Sequence, residues 1–208
     1  MYDINSLKGN GSKTFTDAVQ RIINQTKYSF DPVDPHPGRL MMKTRVQIKK
    51  WASEEDKLAG KEPFETRIDE GNLGLSGGIT RALSLLTLSG TDGGLTWNTT
   101  LTCIGVGTST TTASAADTGL VIAATSATAQ EYHKMDATTY PAVSGSNMIV
   151  RSTFGSTEAN FAWNEFVIKN ATYTADSTSG RALIRKVSQQ GTKISGQSWE
   201  CTCTVTMS

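Results

Sequence analysis

The chain has 208 residues, with 20 lysines and arginines against 19 aspartates and glutamates, for a formal net charge of +1. That length suits one domain, or one domain with an appendage, and it can bury a core without disulfides. The charge balance argues against general affinity for nucleic acid or an anionic membrane, and no run approaches the ~18–20 apolar residues of a membrane span.

Residues 1–8 carry no apolar signal region, so synthesis in the cytosol is expected. The three cysteines, Cys103, Cys201 and Cys203, make no secretory framework. On one strand Cys201 and Cys203 share a face, about 6.5–7 Å apart, at or beyond disulfide reach. They read as small buried hydrophobes.

Residues 1–11 are predicted to be a flexible start. Ser12 or Thr14 can cap a helix running to Lys27, with Phe15, Val19, Ile22, Ile23 and Thr26 on one apolar stripe. A helix this short is marginal alone in water, so the stripe must lie on its own domain or on a neighbouring subunit. Pro32, Pro35 and Pro37 then enforce an extended spacer. This sets a boundary: residues 1–38 form an arm and residues 39–208 the main domain.

From Leu40 to Trp51 the sequence alternates. Met42, Thr44, Val46 and Ile48 are predicted inside; Lys43, Arg45, Lys49 and Lys50 make a basic side. That side has no interleaved aromatics beyond Trp51, so it reads as a solvated face or a dock for an acidic partner. Ser53 starts a short acidic helical turn ending at Gly60, and residues 64–68 form a strand. Ser76 is predicted to cap a helix carrying Ile79, Ala82, Leu83, Leu85 and Leu86 against the sheet, ending near Gly90 before a turn at 92–94.

Strands are then expected at 101–106, 120–124, 131–135, 148–154, 161–169, 182–187 and 199–207. A Thr/Ser/Ala loop runs from Thr108 to Thr118. In the last strand Trp199, Cys201, Cys203, Val205 and Met207 face in. The run from Phe161 to Lys169 is the densest in aromatic and β-branched residues, which fit a pleated surface. Phe161, Trp163 and Val167 are predicted on one face, Phe166 and Ile168 on the other, so this is the central strand, covered on both sides. The fold expected is mainly β: an antiparallel, jelly-roll-like β-sandwich with one packed helix and an N-terminal helical arm.

No candidate for chemistry is compelling. Gly105-Val-Gly107 follows a strand but lacks a third glycine and a following helix, so a strand exit fits better than a phosphate loop. Asp117-Thr-Gly119 matches the short aspartic-protease signature, without its apolar flanks or a second copy. His36, His133, Cys201 and Cys203 show no zinc spacing. No nucleophile-elbow motif is present. Glu165 falls among apolar neighbours and should meet a cation or backbone donors; Arg151, Arg181 and Arg185 are the candidate cations. No catalytic, cofactor or metal residue is assigned.

Several segments together resemble a group of tailed-bacteriophage structural proteins. They are Glu70-Gly-Asn72 before an apolar helix, Ile104-Gly-Val-Gly107 with its Thr/Ser/Ala loop to Thr118-Gly-Leu120, Met135, Tyr140-Pro141, Ala159-Asn-Phe-Ala-Trp-Asn-Glu165, and Gly191-Thr-Lys-Ile-Ser-Gly196 before Trp199. The likeness spans about residues 40–208. The glycine and Trp-Asn-Glu segments are also similar to a β-module of tail-collar and fibre proteins. The resemblance implies a virion component without enzymatic activity. The first expectation is a capsid decoration or cement protein bound to major capsid subunits. The second is a tail, neck or fibre adaptor, in which Trp97 or Tyr140 could stack on host sugar. A homo-oligomer, a trimer, is expected, with Phe15, Val19, Ile22 and Ile23 as the partner-contact arm.

Overall fold

The computed structural model describes residues 42–71, 73–87, 96–121, 128–171 and 180–207. The expected arm, its spacer and its four contact residues lie outside them, as do His36, the turn at 92–94 and residues 122–124 of one expected strand.

The elements are β1 (Met42–Trp51), α1 (Glu54–Leu58), β2 (Glu65–Glu70), β3 (Leu73–Gly74), α2 (Ser76–Thr87), β4 (Thr102–Gly107), β5 (Gln130–Lys134), β6 (Ala142–Ser144), β7 (Asn147–Phe154), β8 (Ala162–Asn170), β9 (Arg181–Thr192) and β10 (Ser198–Met207). They form two antiparallel five-stranded sheets, ordered β2-β1-β10-β7-β6 and β3-β9-β8-β4-β5. Pairing is nested along the chain: β1 with β10, β3 with β9, β4 with β8, β6 with β7. The outermost and innermost pairs lie in the first sheet, and the two between them lie in the second.

Both sheets contribute to one buried core. Val46, Ile48, Val150, Phe154, Trp199, Cys201, Cys203 and Val205 come from the first sheet; Ile104, Val106, Trp163, Phe166, Ile168 and Ile184 come from the second. A smaller cluster on the second sheet's other face joins Leu75, Cys103, Tyr132, Val167 and Ala182, with Leu120 against it. β8 is therefore covered on both sides, as its apolar run requires.

The faces of β8 differ from strict alternation. Trp163 shares the inner core with Phe166 and Ile168, while Val167 faces out. The cause is a register shift between Trp163 and Glu165: Trp163 opposes Gly191, but Glu165 opposes Val187. There β8 advances two positions while β9 advances four, and the two-residue period breaks across this irregularity.

α2 also departs from expectation. Ser76 does not cap it. The Leu75 carbonyl accepts the first helical bond, from Ile79, and the Ser76 hydroxyl donates to Ala115 O at 3.0 Å. The helix meets β9 through Gly78, where a Cβ would lie 2.3 Å from Leu183 Cα. Bringing the Gly78–Ala82 line to the sheet turns Ile79 and Leu83, one helical step around, toward solvent.

Three smaller corrections follow from packing. Lys50 shares the parity of Ile48 and is buried, so it leaves the basic side. Met207 sits at the strand end and is exposed, while Glu200, expected outside, is mostly buried. Leu120 and Val121 are not in a strand.

Candidate interaction surface

The charged residues singled out in the sequence converge on one arginine. Arg185, on β9, is fully buried. Its Nε donates to Glu165 Oε2 at 2.7 Å, one terminal nitrogen donates to Asp117 Oδ2 at 3.0 Å, and the other donates to Thr111 O at 3.0 Å. Glu165 Oε2 also accepts from Val121 N at 3.1 Å. Asp117 Oδ2 accepts from Ser114 N at 2.8 Å. Of the three arginines considered, Arg185 is therefore the partner of Glu165. The aspartate of the Asp-Thr-Gly triplet is on the same guanidinium, a second carboxylate that the sequence did not place there. A guanidinium's planar fork suits this arrangement: it holds two carboxylates and a carbonyl from separate segments.

The effect is mechanical. Residues 108–121 have few large apolar side chains, yet they lie over the second sheet's outer face. Arg185 and Glu165 fasten their middle and end. Asn164 Nδ2 donates to Thr108 O at 2.9 Å, and Leu120 N donates to the Tyr132 hydroxyl at 3.3 Å. Beneath them Gly105 lies inside β4, not in a turn. A Cβ there would be 2.5 Å from Tyr132 Cε1 and 2.8 Å from Val167 Cγ1, so the glycine makes room for the tyrosine ring.

Two buried lysines are fastened the same way. Lys193 Nζ donates to Gly155 O at 2.6 Å, Glu158 O at 2.8 Å and Asn160 Oδ1 at 2.8 Å. Burial brings its ammonium down to about 8, with Glu158 and Glu131 pulling the other way. Lys50 Nζ meets Glu65 Oε2 at 2.8 Å and Gln190 O at 2.5 Å and lies 4.3 Å over the Trp199 ring. Desolvation lowers its pKa, and its hydrogen bond to Glu65 opposes that.

Among the described residues, no group of three or more His, Cys, Asp or Glu side chains is placed to hold a metal. His133 Nε2 lies 3.4 Å from Glu158 Oε1, and its ring is 5.3 Å from that of Phe154. The Cys201 and Cys203 thiols are buried, free of a disulfide and hydrogen-bonded to each other, with sulfurs 3.7 Å apart. Burial pushes the Cys103 thiol up to about 12. Trp97 is partly buried against the core, and the Tyr140 ring carries the Arg151 guanidinium at 4.6 Å.

The surface offers apolar side chains instead. Ile79 and Leu83 of α2 are 45% and 55% exposed, Val143 of β6 is 79% exposed, and Met207 of β10 is 40% exposed. Ala82, Val143 and Met207 line a groove of about 270 Å3, with Trp97 and Met148 beside them and the core residues Leu183 and Val205 also in its lining. Among the described residues its lining carries no charged side chain. At the opposite edge of that sheet, Leu58, Phe64 and Ile68 are exposed. Helical spacing had turned Ile79 and Leu83 inward and strand alternation had turned Met207 inward, so these exposed side chains were missed. The signal for the two helix residues is Gly77-Gly78 at the helix start, which lets the backbone rather than the larger side chains meet the sheet.

No family model matches the chain, and neither the curated proteins nor the solved structures contain a match to it.

Proposed function

We propose that this chain is a non-enzymatic virion structural protein, a capsid decoration or cement protein that binds neighbouring major capsid subunits. The body is read as a jelly-roll-like β-sandwich. The nested strand pairing and the core common to both sheets support that description. One observation carries the functional reading. Two of the segments that bear the phage resemblance build one unit: Val106 opposes Phe166 and Gly107 opposes Glu165 across β4 and β8, and the Thr/Ser/Ala loop is tied to β8 by Asn164 and Glu165 and to β9 by Arg185.

In this reading the buried charges serve the fold and the exposed apolar groove serves partners. The protein works as a homo-oligomer, a trimer, made in the host cytosol and resident in the virion. Residues 1–38 act as an arm that buries Phe15, Val19, Ile22 and Ile23 on a neighbouring subunit. Each such side chain contributes about 1.5–3 kcal/mol when fully buried, before ordering costs.

A tail, neck or fibre adaptor is the second reading, favoured by the similarity of the Gly-Val-Gly and Trp-Asn-Glu segments to tail-collar modules. Quantitative mass spectrometry of purified particles separates the two. Hundreds of copies per particle are expected for a decoration protein, and on the order of six to eighteen for a tail part. Absence from particles overturns both.

A further inference from the structure

We propose that the chain cross-links itself covalently, through an isopeptide bond between the Lys193 amine and the Asn160 carboxamide. The bond would tie the β7–β8 connection to the end of β9. It goes beyond the virion reading and does not depend on it.

The nucleophile is a buried lysine on neutral acceptors. Lys193 directly follows β9 and is fully buried. Its Nζ donates to the Gly155 and Glu158 carbonyls and, at 2.8 Å, to Oδ1 of Asn160. None of the three acceptors is a carboxylate. Burial lowers the ammonium to about 8, so the nucleophilic free amine is present near neutral pH.

The electrophile is held as closely. A C=O bond is about 1.23 Å, so the contact at Oδ1 puts Asn160 Cγ within about 4 Å of the amine, close to the ~3–3.5 Å of reacting atoms. Asn160 Nδ2 donates to Ser156 O at 3.1 Å, which keeps the carboxamide oxygen turned to the lysine. The backbones are joined as well: Lys193 N donates at 3.0 Å to the carbonyl of Phe161, the residue after Asn160.

A proton carrier stands beside the pair. Glu131 Oε2 accepts from the N–H of Ala159, the residue before Asn160. Burial raises the Glu131 pKa despite that hydrogen bond; Glu158 adds to the rise, and His133 and Lys193 oppose it. A carboxyl group tuned in this direction suits proton transfer.

The step balances without an oxidant or a cofactor. The Nζ lone pair attacks Asn160 Cγ, and the carbonyl electrons move to Oδ1. Glu131 takes a proton from Nζ and passes it to Nδ2. The electrons on Oδ1 return, the Cγ–Nδ2 bond breaks, and ammonia leaves. The product is a secondary amide. It closes a covalent ring through β8 and β9 at the end where Ala162 opposes Thr192. Such a ring constrains the unfolded chain as a disulfide does, in a protein whose three cysteines are free. The linked chain has no Lys193 ammonium left to titrate, and Asn160→Ala keeps it.

The test uses the purified full-length chain, denatured, digested and read by mass spectrometry. A branched peptide joining residues 160 and 193, lighter than its two parts by one ammonia, is expected in the majority of molecules. Asn160→Ala and Lys193→Arg should each abolish it, and Glu131→Gln should form it at least about tenfold more slowly. Absence of the branched peptide from the parent chain overturns the proposal, whatever the variants do. So does a loss of ammonia that persists in Lys193→Arg, which would be a succinimide made by backbone attack on Asn160. A link formed at the parental rate in Glu131→Gln overturns the proton-transfer step.

Discussion

The second sheet is bound on its two faces by different forces. Its inner face meets the other sheet through rings and aliphatic chains. Trp163 lies 4.8 Å from Phe154, 4.9 Å from Trp199 and 6.1 Å from Phe166, all edge-on, and its indole nitrogen donates to Ala159 O at 3.0 Å. Its outer face is covered by a small-residue strap, 108–121, which has too little apolar surface to hold itself down and is fastened by Arg185 and Glu165. The inner face gains by removing carbon from water. The outer face gains only if every buried charge keeps its partner, because an ion pair's desolvation cost consumes most of its attraction. One contact is therefore tolerant of detail, and the other depends on a single guanidinium.

The largest expected effect is on the inner face. Trp163→Ala removes the ring that touches both sheets, and a loss of about 3–5 kcal/mol is expected in urea denaturation. A loss under about 1 kcal/mol would place the core elsewhere. Gly105→Ala probes the outer face. Its methyl would collide with Tyr132 and Val167, and a cost of about 1–3 kcal/mol is expected. Amide exchange should quicken at Leu120, whose N–H is bonded to Tyr132, and stay slow in β10. Equal acceleration in both would mean that the two faces are not independent.

With Asn160→Ala as the parent, so that the amine stays free, a pH dependence is expected at Lys193, which holds the β7–β8 connection. Its folded-state value of about 8 lies below the ordinary 10.5. The unfolded chain therefore binds the extra proton between those values. The lysine's contribution is complete above about 10.5 and is lost as pH falls through about 8. The stability of the parent minus that of Lys193→Met should rise between pH 8 and 10.5; a flat or falling difference would contradict the burial argument.

Most strands were legible because one buried side writes period two into the chain, as in β1 and β10. The short strands β3 and β6 carry too few residues to show a period. The faces of β8 were not legible, because the register shift near Trp163 belongs to its pairing with β9 and not to its own pattern. The need of Glu165 for a cation could be read from its apolar neighbours. The choice of Arg185, and the arrival of Asp117 on it, depend on how the 108–121 strap crosses the sheet, and local pattern does not specify that. The exposure of Ile79 and Leu83 was hidden by a helix rotation that one glycine decides.

The claim that charge fastens the strap is tested most directly by a double-mutant cycle on Glu165 and Arg185. Arg185→Met should cost about 3–5 kcal/mol, since it strands the buried Glu165 carboxylate, and Glu165→Leu should cost less, since Arg185 keeps Asp117. The double variant should recover much of that loss, leaving a coupling on the order of 2 kcal/mol or more. Single losses that simply add, to within about 0.5 kcal/mol, would show that the pair does not hold the strap.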